Sequence, residues 1–195
     1  MNNKKILLII PVILVLFIGL IIIKKTFGKE NVKMYNVEMS IKNYGVITLE
    51  LDRTAAPITV DNFVELVNKG FYNGLTFHRI IEGFMIQGGD PNGNGTGGSS
   101  KKIKGEFASN GYNNPIQHTR GVISMARSGD PNSASSQFFI MHQDYPSLDG
   151  NYAAFGHVTS GMEVVDKIVN DARPTDRNGS ISRDQQPVIE YIKIV

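Results

Sequence analysis

The chain of 195 residues contains no cysteine. That absence excludes disulfides, a thiol nucleophile, a cysteine zinc site and a lipid-modified cysteine anchor. Other signatures of chemistry are missing too. His78, His118, His142 and His157 have no metal-ligand spacing, and no H-E-x-x-H occurs. No G-x-S-x-G elbow surrounds the serines at 133–136, so no nucleophile and base can be assembled for a protease or hydrolase. Gly93 to Gly98 fits G-x-G-x-x-G, but Ser99-Ser100-Lys101-Lys102 comes next, where a βαβ unit needs an apolar helix. No Gly-Lys-Ser/Thr completes a Walker loop. No cofactor or metal is expected. Positive charge is also short. Lys4, Lys5, Lys24 and Lys25 supply four of the 20 basic residues, whereas all 18 acidic residues lie after position 25. The remainder therefore carries 16 basic against 18 acidic residues, a net −2. A nucleic-acid partner needs a basic face, so none is expected.

What is present begins with an apolar run. Residues 6–23 form 18 positions without a charge, flanked by lysine pairs. As a helix they rise about 27 Å, close to the roughly 30 Å hydrocarbon core. A core helix would show a polar face, and a signal peptide a small-residue cleavage site. Neither is there. The expected organisation is a tail at 1–5, a transmembrane signal-anchor at 6–23, a linker at 24–31 and a globular domain at 32–195. The lysines after the span would by themselves keep the domain cytoplasmic. A signal-anchor with a five-residue tail more commonly exports its C-terminal domain, and the extracytoplasmic side is expected.

Within the domain, residues 32–52 alternate with period two around a turn at 43–45, as in a half-buried hairpin. Pro57 opens a helix whose stripe is Val60, Phe63, Val64 and Val67, with Gly70 as its C′ residue. Short strands are expected at 75–80, 85–88, 121–126, 137–142, 154–158 and 187–195, and a second helix at 162–169. Many short strands, two helices and frequent glycine turns predict a mainly β fold, a closed eight-stranded antiparallel barrel capped by two helices.

The most specific stretch is F-H-R-I-I-x-G-F-M-x-Q-G-G-D at 77–90. After it, in order, come N-G-T-G-G, S-M-A, S-Q-F-F-I, L-D-G and F-G-x-V. Over residues from about 34 to 194 the chain resembles the cyclophilin family of peptidyl-prolyl cis-trans isomerases. The chemistry suits a site without a nucleophile. Rotation about X-Pro breaks no covalent bond and meets a barrier of roughly 18–20 kcal/mol. It needs only preferential binding of the twisted amide. The resemblance implies that Arg79 is the catalytic guanidinium and that Gln87 orients it and binds the substrate backbone. It implies that Phe84, Met85, Phe139 and Leu148 line the proline socket, with Tyr152 as an aromatic wall. Gln137, Ala126 and Arg127 would line the groove for the preceding residues, with Gly95 at its rim. The partners implied are proline-containing polypeptides, unfolded or exported.

The segment 125–137 resembles the bacterial style. Many eukaryotic members carry Trp where this chain has Ser147, and His where it has Tyr152. Cyclosporin binding typically relies on that indole, so only weak binding is expected. The alternative function is a non-catalytic chaperone or scaffold that grips proline segments. Such members would be expected to lose Arg79, Gln87 or Phe139, and this chain keeps all three.

Overall fold

The structure, a computed structural model, describes residues 33–195. The expected tail, anchor and linker lie outside the described residues. Among the described residues no helix is long and apolar enough to cross a membrane. Met34–Val195 forms one compact unit.

Eight strands form one antiparallel sheet: β1 (Met34–Ile41), β2 (Gly45–Asp52), β3 (Thr76–Ile81), β4 (Met85–Asp90), β5 (Val122–Met125), β6 (Phe138–Met141), β7 (Ala154–Ser160) and β8 (Ile189–Ile194). Their order is β3-β4-β6-β5-β7-β2-β1-β8. The strands expected from periodicity are all present, with ends within about two residues. Three short 3-10 turns, Ala108–Asn110, Pro146–Leu148 and Arg183–Gln185, were not expected.

The closed barrel needs correcting. β3 and β8 are the sheet's two edges and share no ladder, only an isolated bridge between Thr76 and Val188. Phe77 N–H donates to Pro187 O and Ile189 N–H to Leu75 O across this seam. Pro187 has no N–H to return, so regular pairing stops there. Farther along, Arg79 bridges Ser180 of the preceding loop instead. The barrel is open along this line.

Helix α1 (Pro57–Asn68) buries Thr59, Val60, Phe63, Leu66 and Val67, and packs on β2 and β8. Its end has the expected pattern. Gly70, at φ +65°, donates to Val67 O, and Phe71 donates to Leu66 O. Helix α2 (Met162–Asp171) buries Val164, Val165, Ile168 and Val169 and packs on β2. Between them the core is aromatic. Phe63 lies 5.0 Å from Tyr72, 5.6 Å from Phe138 and 5.3 Å from Phe155, ring centre to ring centre.

Register explains how one set of strands makes both a core and a site. Across β3, β4, β6 and β5, Ile80 pairs Ile86, Ile86 pairs Ile140, and Ile140 pairs Ile123. These four isoleucines are almost wholly buried inside the barrel. The adjacent row reads Arg79, Gln87, Phe139 and Ser124. Successive residues of a strand face opposite sides, so this row lies on the outer face. There Met85, Phe139, Met141, Val122 and Ala154 build a second, smaller apolar cluster.

Candidate active site

The position of Arg79 depends on an irregularity. Phe77 pairs Gly88 and Arg79 pairs Gln87, so His78 is an extra residue in β3. Without that bulge Phe77 and Arg79, two apart, would share a face. With it, Phe77 is fully buried in the core while Arg79 stands outside. Gly89 is the matching irregularity in β4. It has φ +81°, and a Cβ there would lie 2.5 Å from the Ser136 carbonyl oxygen. Only glycine fits.

Arg79 is held at three points. Its Nε donates to Asn178 O at 2.7 Å, and its Nη1 to Gln87 Oε1 at 3.1 Å and Met85 Sδ at 3.9 Å. The guanidinium carbon sits 5.9 Å from the centre of the Phe84 ring. The chain of bonds continues outward. Gln87 Nε2 donates to Gln137 Oε1 at 2.9 Å, and Gln137 Nε2 donates to Gly97 O at 2.7 Å and Gly95 O at 3.1 Å. Burial lowers the Arg79 pKa, against the opposing influence of Tyr152 and Asp176. Its ordinary value lies so far above neutrality that the group stays charged.

Beside Arg79 is a socket of about 130 Å³. It is lined by Arg79, Phe84, Met85, Gln87, Ala126, Arg127, Phe139, Leu148 and Tyr152. Nine of the eleven expected residues therefore meet at one cavity. The other two, Gly95 and Gln137, line an adjoining cavity of about 360 Å³ together with Gln87, Ala126 and Arg127. Ser147 is exposed, in the turn Pro146–Leu148.

Support behind the socket was not anticipated. His118 is buried with its ring stacked 6.0 Å from Phe139 and edge-on 6.5 Å from Tyr152. Its Nδ1 is 2.9 Å from Asp149 Oδ1 and its Nε2 is 3.0 Å from Ser124 Oγ. Burial lowers the His118 pKa despite the bond to Asp149. Tyr145 backs Phe84 at 4.4 Å. His78 is buried as well, and its Nδ1 has no hydrogen-bond partner among the described residues.

The glycine-rich loop has a structural use. Asp90 accepts N–H bonds from Asn92, Asn94 and Gly95. Burial raises the carboxyl's pKa, but these bonds together outweigh it and hold the pKa below its ordinary value. The loop's donors are thus turned inward, away from any phosphate. Among the described residues no group of three or more His, Asp or Glu is placed to hold a metal ion.

The family model described as "Cyclophilin type peptidyl-prolyl cis-trans isomerase/CLD" matches residues 36–195. The chain belongs to the cyclophilin-type peptidyl-prolyl cis-trans isomerases. Among similar proteins, a Helicobacter pylori peptidyl-prolyl cis-trans isomerase is 52% identical over 128 residues, covering 65% of this chain and 76% of that one. Peptidyl-prolyl cis-trans isomerase B of Bacillus subtilis is 49% identical over 124 residues, covering 64% and 83%. A Cryptosporidium parvum cyclophilin-type isomerase, crystallised in the presence of the dipeptide Ala-Pro, superposes with a TM-score of 0.72 at 33% identity. That match covers 82% of this chain and 98% of that one.

Proposed function

We propose that this cyclophilin turns X-Pro bonds by seating the proline ring in the socket of Phe84, Met85, Phe139, Leu148 and Tyr152. Arg79 is the catalytic group. As the amide twists it loses resonance, and the proline nitrogen becomes a better hydrogen-bond acceptor. A guanidinium aimed at that nitrogen stabilises the twisted state more than either planar one, which is what lowers a barrier. Gln87 orients Arg79 and keeps one amide N–H for the substrate backbone. Gln137, Ala126 and Arg127 receive the residues before the proline, with Gly95 at the rim. The observation carrying this reading is the Arg79–Gln87–Gln137 bond chain along the edge of an apolar socket. Proline-containing polypeptides are the substrates.

The experiment compares wild type with Arg79→Ala on a short X-Pro peptide. Loss of most of the acceleration with an unchanged thermal midpoint is expected. Undiminished turnover would remove Arg79 from the mechanism. Absence of turnover in wild type, with peptide binding retained, would favour the chaperone or scaffold alternative.

The protein is a bacterial-style member held in a membrane by residues 6–23, with its domain on the extracytoplasmic side, where it assists exported chains. The uncharged run between lysine pairs and the absence of an A-x-A-like cleavage site support this. Protease accessibility on intact cells tests the orientation. Cyclosporin binds weakly, because Ser147 stands where many relatives have an indole donor.

A further inference from the structure

Two cavities flank the socket. One, of about 360 Å³, contains Gln137, and the other, of about 630 Å³, reaches Asn178. Gln87 borders all three. Among the described residues no aspartate or glutamate lines any of them, whereas Arg79, Lys102, Arg127 and Arg183 do.

These cations are not neutralised. None belongs to an ion pair among the described residues, although Asp176 attracts Arg79 from beyond ion-pair distance. Arg127 donates to the carbonyls of Asn151, Ser128 and Gly129, and Arg183 to that of Asn92. Such bonds fix a guanidinium without cancelling its charge. Of the carboxylates near the lining, Asp90 and Asp176 are held by other donors. Asp90 accepts backbone N–H groups, and Asp176 accepts the N–H and hydroxyl of Ser180. Asp130 lies in the exposed loop after Arg127, and Asp184 is exposed and next in sequence to Arg183. A positive cleft in a domain with net −2 concentrates the field where the substrate must lie.

We propose that the cleft selects prolines flanked by acidic side chains, two positions before at Lys102 and Arg127, and two positions after at Arg183. This rests on the isomerase function proposed for the same socket. The spacing comes from an extended chain, in which alternate side chains face the same wall about 7 Å apart. With the proline ring in its socket, those two side chains reach the flanking cavities. Lysine at the same positions meets like charge, so selection works by repulsion as well as attraction.

The test uses the full chain and short peptides with one X-Pro bond, carrying Glu, Gln or Lys two residues before or after the proline. At low salt kcat/KM should fall from Glu to Gln to Lys by up to about fivefold per step, the scale of an exposed charge pair. The spread should collapse near about 1 M salt. Lys102→Glu should remove the spread in the upstream series only, because Arg127 remains to offset the new carboxylate, and Arg183→Glu should reverse the order in the downstream series only. Equal kcat/KM for the three peptides, with the Gln peptide turned over, overturns the selection and leaves the isomerase function intact. Discrimination that survives both charge reversals overturns the assignment to these side chains. Failure to turn over the Gln peptide overturns the isomerase function itself.

Discussion

At the scale of single residues, Arg79 is a preorganised charge. Its Nε and Nη1 are committed to Asn178 O and Gln87 Oε1, which leaves Nη2 without a partner among the described residues. Lysine cannot reproduce this. An ammonium is a point charge on a flexible stem and cannot hold both partners while presenting a donor to the substrate. Arg79→Lys should therefore lose about one to two decades of kcat/KM, the scale of one hydrogen bond from a charged donor at about 1.5–3 kcal/mol. Near-complete rescue by lysine would mean that charge alone suffices. The weak cyclosporin binding proposed above turns on Ser147. Its hydroxyl is too short to reach where an indole N–H would donate, and an acceptor buried without its donor costs about 1–3 kcal/mol. Ser147→Trp should tighten cyclosporin by about one to two decades, with little change in peptide turnover. Equal affinities in a titration of the two proteins would show that the indole is irrelevant here, with Tyr145 or Tyr152 as a substitute donor.

At the scale of elements, much was legible because periodicity is local. The stripe of α1, its glycine cap and the alternation of β1 and β2 stand in neighbouring residues. The way the elements are joined does not. Helix α1 begins after Ala56, which has no side chain to cap it. Its first donors are satisfied from far along the chain. The buried carboxylate of Glu106 accepts Ile58 N–H at 2.9 Å, Thr59 N–H at 2.8 Å and the Thr59 hydroxyl at 2.7 Å. No spacing rule connects 106 with 58. The bulge at His78 was equally hidden. The motif could be recognised as a string of residues, but pairing between strands decides that Phe77 faces the core and Arg79 the site. Glu106→Ala should destabilise the domain by about 1–3 kcal/mol for each buried donor left unpaired, with the helix dipole adding to the loss. The check is a lower urea midpoint at unchanged slope. A midpoint within experimental error of wild type would mean that water replaces the carboxylate.

At the scale of the whole molecule, one sheet serves two ends. Its inner face is a packed core, and its outer face carries an apolar patch with charge along one side. Hence most expected site residues could be named from sequence, while the supporting histidines could not. His78 and His118 are buried polar groups whose value lies in what they pack against. Both have pKa values lowered chiefly by burial, with Arg79 adding to the effect at His78. Asp90 opposes the shift at His78, and Asp149 that at His118. In the unfolded chain an imidazole titrates near its ordinary value of 6.5. At pH values between the lowered native value and 6.5, the unfolded state binds more protons than the native state. Stability from these two groups is therefore complete above about pH 6.5 and declines as the pH falls below it, until the native histidines themselves protonate. Asp90, with its pKa held below the ordinary 3.8, adds a second loss at more acidic pH. Urea midpoints should be flat between about pH 8 and 7 and fall between about pH 6.5 and 5. Replacing both histidines with glutamine should flatten the upper part of that fall, even if the variant starts from a lower midpoint. A wild-type midpoint independent of pH down to about 5 would show that neither imidazole differs in proton affinity between the two states.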